Sequence, residues 1–124
     1  MSKIIAVDFD GTLCRECYPE IGEPNYPLLT LVKEAKKAGA KLILWTCRQD
    51  TPERAYVQEA VEWCRKFGLE FDAVNENLTE VKAKWGGDTR KVYCDYYLDD
   101  KGVGYHHLLA FDQIVGYLHA YENN

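Results

Sequence analysis

The sequence predicts an α/β fold in three layers, with a mainly parallel sheet of about five strands. Short apolar runs alternate along the 124 residues with segments whose apolar residues recur at helical spacing. The predicted order is β-α-β-α-β-(α)-β-β-α, and this alternation favours a parallel sheet covered by helices. The length suits a single domain over residues 1–124, without an internal repeat or linker.

The first strand is predicted over the apolar run at 4–7, which suits a strand buried on both faces. Asp8 and Asp10 follow it on either side of Phe9, and Gly11 then permits backbone conformations that other residues avoid. Carboxylates at the end of a buried strand are costly unless compensated, and a divalent cation is the usual compensation. Because ligands bind at the carboxyl ends of such strands, a metal-linked site is predicted here. The alternative is an acidic strand end that only caps the next turn.

The next elements follow from turn residues and apolar spacing. Residues 14–25 are predicted to be a loop, because they are polar and contain proline and glycine. A helix over 26–38 begins with a proline in its first turn. The apolar run at 41–45 predicts the second strand, and helix-start signals at 50–53 precede an apolar stripe that reaches Cys64.

The rest of the chain is predicted to contain three more strands and two more helices. Its least regular segment is 75–90, and such a segment in a compact domain is often functional. The strands are expected at 69–74, 96–98 and 105–109, and the helices at 78–85 and 111–121.

Composition and charge exclude several classes of function. The hydrophobic content of 47% and charged content of 28% are normal for a soluble globular protein. The formal net charge of −5 and the lack of a dominant basic patch argue against a nucleic-acid partner. The sequence has no secretory pattern and no apolar stretch long enough to span a membrane. A cytoplasmic protein without a membrane partner is therefore expected.

The five cysteines are expected to be reduced thiols. Cys14 and Cys17 form a lone C-x-x-C, but a zinc site needs further ligands at suitable spacing, and the sequence offers none. A redox role lacks the thioredoxin-like context. Ordinary thiols beside the predicted site are the preferred interpretation.

Polar groups follow four of the predicted strands. Asp8 and Asp10 end the first, Thr46 the second, Asn75 the third, and the pair Asp99-Asp100 the fourth. Since the carboxyl ends of parallel strands meet at one edge of the sheet, these groups are expected to converge.

With these residues in place, the chain resembles the haloacid dehalogenase-like (HAD) phosphatases. The resemblance rests on Val-Asp-Phe-Asp-Gly-Thr-Leu at 7–13, Leu-Trp-Thr-Cys-Arg at 44–48 and Tyr-Leu-Asp-Asp-Lys at 97–101, and it spans about 3–110. It implies a Rossmann-like domain. The connections after the first two motifs are too short for a cap domain, so the chain is similar to the capless members.

The resemblance also implies roles for individual residues. Asp8 is expected to be the nucleophile, forming an aspartyl-phosphate. Asp10 is expected to protonate the leaving alcohol and then to activate water. Thr46 is expected to donate a hydrogen bond to the phosphoryl oxygens, and Lys91 to neutralise charge. The family has its lysine ahead of the fourth motif, and Lys91 is preferred because it is the lysine on that side nearest the fourth strand. Lys84 and Lys82 remain alternatives, and a surface role for Lys91 is the other interpretation.

The implied cofactor is Mg²⁺, which prefers hard oxygen ligands and retains waters. Its expected ligands are one oxygen of Asp8, the backbone carbonyl of Asp10 and the pair Asp99-Asp100. Asp100 is favoured as a direct ligand, with Asp99 direct or bridged by water. Contacts with the substrate are expected from Gly11, Thr12, Cys47, Arg48 and Asn75. For Arg48, a pair with a surface acid is the alternative.

The predicted function is hydrolysis of a small phosphoester, a sugar phosphate or a nucleotide. An uncapped site leaves three arrangements open: a bulky substrate, cover by a neighbouring subunit in a homo-oligomer, or cover by the loops at 14–25 and 75–90. Two other classes of function remain alternatives. One is a receiver-like phosphoacceptor domain, although a receiver carries its acidic pair on the first strand. The other is a non-catalytic HAD-like binding domain.

Overall fold

The computed structural model describes residues 2–101. The predicted fifth strand at 105–109 and the predicted final helix at 111–121 lie outside the described residues. In chain order the elements are β1 (Ile4–Val7), β2 (Cys14–Cys17), β3 (Glu20–Pro24), α1 (Tyr26–Lys37), β4 (Lys41–Leu44), α2 (Tyr56–Lys66), β5 (Ala73–Val74), α3 (Thr79–Trp85) and β6 (Tyr96–Leu98).

The main sheet is parallel and has the strand order β5-β4-β1-β6. Strand β1 pairs with β4 from Ile4 opposite Lys41 to Val7 opposite Leu44, and with β6 from Ile5 opposite Tyr96. The chain therefore adds strands on one side of β1 and then crosses to the other. Ligands in open α/β sheets bind where the strand order reverses in this way. The α/β class and the parallel sheet are confirmed, with four strands in the described residues where about five were predicted.

Helices cover both faces of this sheet. Ile5 and Val7 face a core cluster that includes buried residues of α1 and α2. Ile4 and Ala6 face the opposite way, into a cluster with Val81 of α3. This alternation along β1 explains why an unbroken apolar run is needed there, since every side chain of the strand packs against a helical layer.

The segment 14–25 is not the loop that the sequence predicted. Strands β2 and β3 form an antiparallel hairpin within it, with an irregularity in the pairing between Cys14 and Glu16. Only the first residue of β2 is buried, and the other three are exposed. Because a strand exposed in this way shows no alternation of apolar and polar residues, its sequence lacks the usual signal.

Two boundaries also differ from prediction. The strand predicted at 69–74 is confined to Ala73–Val74. Before it, the Asp72 carboxylate accepts a hydrogen bond from the Leu42 amide, so a side chain takes the place of a ladder contact. The second helix begins at Tyr56, later than the start signals at 50–53 suggested. Asp50 nevertheless caps it across the intervening turn, since its Oδ1 accepts from the Val57 amide at 2.8 Å.

Within residues 2–101, the structure shows no helix long and apolar enough to cross a membrane. The five cysteines, all in this range, are free thiols, as predicted.

Candidate active site

The tight turn after β1 sets the positions of Asp8 and Asp10. The amide of Asp8 donates to the carbonyl of Leu98 at 2.9 Å, so the nucleophile candidate still lies on the ladder with β6. Phe9 is fully buried in the core, and its carbonyl accepts from the amides of Thr12 and Leu13. The aromatic anchor between the two aspartates therefore fixes the turn that presents them.

Three carboxylates meet where β1 and β6 end. Single oxygens of Asp8, Asp99 and Asp100 all lie within 4.8 Å of one another. The Oδ1 atom of Asp100 is buried and has no hydrogen-bond partner in the described part of the chain. A buried oxygen without a partner carries a desolvation cost that a cation would remove. Three carboxylate oxygens are also the hard donor set that Mg²⁺ prefers, so the residues fit this ion.

Gly11 makes room for this cluster. Its φ angle is +85°, and a Cβ atom at this position would overlap Oδ2 of Asp100 and lie 2.9 Å from its Cγ. Glycine is thus required both for the backbone conformation and for the close approach of Asp100. Gly11 was expected to contact the substrate, and in the structure it lies against Asp100 of the acidic cluster.

Among the three carboxylates of the cluster, Asp8 has a raised pKa. Burial raises the pKa of the Asp8 carboxyl from 3.8 to about 7, with the charges of Asp99 and Asp100 acting in the same direction. A backbone hydrogen bond at Phe9 and the hydroxyl of Thr12 act in the opposite direction. Thr12 is itself fully buried, and its hydroxyl donates to Oδ2 of Asp8 at 3.3 Å. In place of the expected contact with substrate, Thr12 therefore supports the nucleophile candidate.

Asp10 has a different environment, because Arg48 binds both of its carboxylate oxygens. The Arg48 Nε donates to Oδ2 at 2.7 Å, and one terminal nitrogen donates to Oδ1 at 2.8 Å. The Arg48 side chain is 1% exposed, and these hydrogen bonds raise its pKa. The sequence left open whether Arg48 faces the substrate or pairs with an acid, and the structure shows the pair.

The loop after β4 is braced by Asn75. Its side-chain oxygen accepts from the Thr46 amide at 2.8 Å, and its side-chain nitrogen donates to the Arg48 carbonyl at 3.5 Å. Asn75 has a φ angle of +54°, a conformation that asparagine tolerates better than most residues. The hydroxyl of Thr46 accepts from the Arg48 amide at 3.1 Å. Asn75, expected to contact substrate, thus holds the loop that carries Thr46, Cys47 and Arg48.

These elements enclose a cleft of about 340 Å³. Two of its walls were predicted: the first is the end of β1, with Asp8 and Asp10, and the second is the loop from Thr46 to Arg48. The third wall is formed by Glu16 and Tyr18 of the hairpin. The segment 14–25 was one of the predicted covers of the site, but its hairpin structure and these two residues were not predicted. Lys101 completes the lining, and its Nζ lies 3.8 Å from Oδ2 of Asp100.

The lysines predicted for the site do not line this cleft. Lys91 is exposed, and its Nζ lies 5.7 Å from the centroid of the Tyr97 ring, in a separate groove of about 520 Å³. Lys84 lies over the Trp85 ring, and Lys82 pairs with Glu76 at 3.2 Å. In the structure, Lys101 is the lysine beside the acidic cluster. The sequence contains a signal for it, because it directly follows the acidic pair, but the resemblance favoured a position ahead of the pair.

Comparisons with known proteins give a relative without an assigned activity. The chain is similar to the solved structure of a conserved protein from Bacteroides thetaiotaomicron, at 34% identity and a TM-score of 0.78. The similarity covers 98% of this chain and 93% of that one. No family model matches the chain, and neither does any curated protein.

Proposed function

We propose that this chain, which belongs to the same family as the conserved Bacteroides thetaiotaomicron protein, is a magnesium-dependent phosphomonoester hydrolase. The observation that carries the proposal is the meeting of Asp8, Asp99 and Asp100 within 4.8 Å beside a cleft that also contains Asp10 and Thr46. The motifs that resemble capless HAD phosphatases supply the same residues. The sheet order is compatible with their Rossmann-like fold, and the segment between β1 and α1 holds only a hairpin.

The acidic cluster would hold Mg²⁺ through Asp8, Asp99 and Asp100. Oδ1 of Asp100, which is buried without a hydrogen-bond partner in the described residues, is the strongest candidate for a direct ligand. The backbone carbonyl of Asp10 is the further ligand implied by the resemblance. When bound, the ion supplies positive charge that lowers the repulsion between an anionic phosphoryl group and the carboxylates.

In the first step, a carboxylate oxygen of Asp8 attacks phosphorus, and the bond from phosphorus to the ester oxygen breaks. The products are an aspartyl-phosphate on Asp8 and the leaving alcohol, whose oxygen takes a proton from the carboxyl of Asp10. Thr46 also lines the cleft, and its hydroxyl would donate a hydrogen bond to the phosphoryl oxygens. Lys101 adds the positive charge that the resemblance assigns to a lysine.

In the second step, water attacks the phosphorus of the aspartyl-phosphate and gives a proton to Asp10. The bond from phosphorus to the Asp8 oxygen breaks, which releases inorganic phosphate, leaves Asp8 as a carboxylate and returns the proton to Asp10. A carboxylate has about four lone-pair sites, and the pair with Arg48 uses two of them. Asp10 therefore keeps acceptor capacity for this proton while Arg48 holds it.

The substrate class supported by an open cleft of this size is a small phosphorylated metabolite of the cytoplasm. Glu16 and Tyr18 of the hairpin line the cleft, which supports cover by the chain's own segment 14–25. Cover by a neighbouring subunit is the other arrangement we propose.

The test is hydrolysis of an aryl phosphate with and without Mg²⁺, for wild type, Asp8→Asn and Asp95→Asn. The control makes the same substitution at the opposite end of β1, where Asp95 accepts from the Ile4 amide. We expect Mg²⁺-dependent release of phosphate from wild type and Asp95→Asn, and none from Asp8→Asn. Equal release by Asp8→Asn would contradict the proposal. A stable acyl-phosphate formed from acetyl phosphate, without turnover, would indicate a receiver-like domain instead.

A further inference from the structure

The cleft contains two positive side chains, and both are already engaged by carboxylates. Arg48 is buried and binds Asp10 at 2.7 and 2.8 Å. Two further N–H groups of Arg48 donate to the carbonyls of Pro19 and Glu20 in the hairpin. Lys101 lies beside Asp100, at the acidic end of the cleft. Both positive charges of the cleft are thus paired with carboxylates of the site.

Glu16 gives the hairpin wall an uncompensated negative charge. It is exposed and lines the cleft, and its Oε2 accepts a hydrogen bond from the Tyr18 amide at 3.2 Å. Within residues 2–101, no basic side chain lies within ion-pair distance of Glu16. Arg54, the other arginine that reaches the hairpin, is bound by Glu20 and Glu59.

Tyr18 supplies a flat apolar surface next to this charge. Tyr18 is 52% exposed, and its ring lies near Tyr56, at 5.7 Å between centroids, and near the Arg48 guanidinium, at 5.2 Å from the ring centroid. The exposed ring of Tyr18 can pack against the face of a sugar or an aromatic group. The Glu16 carboxylate can accept hydrogen bonds from hydroxyl or ammonium groups.

We infer that Glu16 makes the cleft selective for phosphomonoesters whose leaving group is uncharged or cationic, and that it rejects those whose leaving group carries another anion. The inference rests on the proposed phosphatase function. A sugar monophosphate and a nucleoside monophosphate share this chemistry, whereas a bisphosphate or a phosphorylated carboxylic acid does not. Because Glu16 lines the cleft, its carboxylate repels a second anion on the leaving group and attracts a cation there.

The test compares para-hydroxymethylphenyl phosphate with para-carboxyphenyl phosphate, which differ chiefly in the charge of the leaving group. We expect the wild-type ratio of kcat/KM to favour the uncharged ester by about tenfold, and the preference to weaken as salt is added. Glu16→Gln keeps an acceptor for the Tyr18 amide and should remove most of the preference, while Glu16→Lys should reverse it. Glu23→Gln changes the same charge on the neighbouring strand, outside the cleft lining, and should leave the ratio unchanged.

A ratio that is the same in wild type, Glu16→Gln and Glu23→Gln would overturn the inference. Affinities of both esters for Asp8→Asn, with and without Glu16→Gln, give a measure that does not need turnover. If no protein hydrolyses either ester but the affinity ratio depends on Glu16, the proposed function fails while the charge selection stands. A hexose monophosphate and a nucleoside monophosphate, each compared with a hexose bisphosphate, then distinguish the two sources of an uncharged leaving group.

Discussion

The guanidinium of Arg48 binds both carboxylate oxygens of Asp10, and the same side chain bonds the hairpin through the carbonyls of Pro19 and Glu20. The proposed proton-transfer residue and the wall of the cleft are thus held by one buried cation. Its two ring contacts, each with the guanidinium 5.2 Å from the centroid, place it between Phe9 of the core and Tyr18 of the hairpin. Arg48 therefore positions Asp10 and at the same time ties the hairpin to it.

Replacing Arg48 with lysine is expected to lower kcat/KM for an aryl phosphate by about tenfold or more, because an ammonium group cannot hold a carboxylate at two points. The matched control is Arg54→Lys, which alters the contact to Glu20 of the hairpin but does not touch Asp10. Steady-state kinetics across pH check the prediction, since a loss of positioning changes the pH profile of kcat. Equal effects of the two variants, with unchanged profiles, would assign Arg48 to hairpin stability alone.

Replacing Gly11 with alanine is expected to abolish Mg²⁺ binding, because the new Cβ would overlap Oδ2 of Asp100. Gly86→Ala is the control, since Gly86 also has a positive φ, +75°, but a Cβ atom there would have nothing within 4 Å. Both variants should lose about 1–2 kcal/mol of stability from backbone strain. Calorimetric titration with Mg²⁺ separates them, and retained affinity in Gly11→Ala would show that Asp100 does not hold the ion.

The raised pKa of Asp8 predicts how stability changes with pH in the absence of metal. The folded chain binds this proton up to about pH 7, whereas an unfolded aspartate releases it near 3.8. Between these two pH values the folded state binds more protons than the unfolded state, so the free energy of unfolding falls as the pH rises. The stabilisation from protonated Asp8 is complete below about pH 3.8 and is lost by about pH 7. Solvent screening limits its size, because Asp8 is only partly buried.

Thermal unfolding of metal-free wild type and Asp8→Asn between these pH values checks this prediction. We expect the melting temperature of wild type to fall relative to the variant as the pH rises, and Mg²⁺ to restore it at neutral pH. A difference between the two proteins that stays constant across the window would show that Asp8 is not perturbed.

The meeting of Asp8, Asp99 and Asp100 was predictable because it depends on topology. A buried run marks β1, and parallel pairing brings its end beside the end of β6, whatever the details of the loops. The same reasoning placed Thr46 and Asn75 at this edge. It did not reveal that Asn75 holds the Thr46 amide, because that depends on a positive φ at one residue.

The hairpin and its contacts were beyond prediction for a physical reason. Three of the four residues of β2 are exposed and no residue of β3 is fully buried, so burial imposes no clear pattern on their sequence. The partner of Arg48 lies 38 residues earlier in the chain, and several acids were equally plausible partners by charge alone. Lys101 was missed in the same way, since its place beside Asp100 is fixed by the turn after β6 and not by any periodicity.

Mapping the residue that is phosphorylated during turnover tests whether Asp8 is the nucleophile. Wild type, Asp95→Asn and Asp8→Asn would be mixed with a radiolabelled phosphomonoester and Mg²⁺, quenched in acid within the first turnover and mapped by mass spectrometry. We expect an acyl-phosphate on Asp8 in wild type and Asp95→Asn, absent when Mg²⁺ is withheld and absent in Asp8→Asn. Turnover of the ester with no label on Asp8, or with label on another residue, would contradict this expectation.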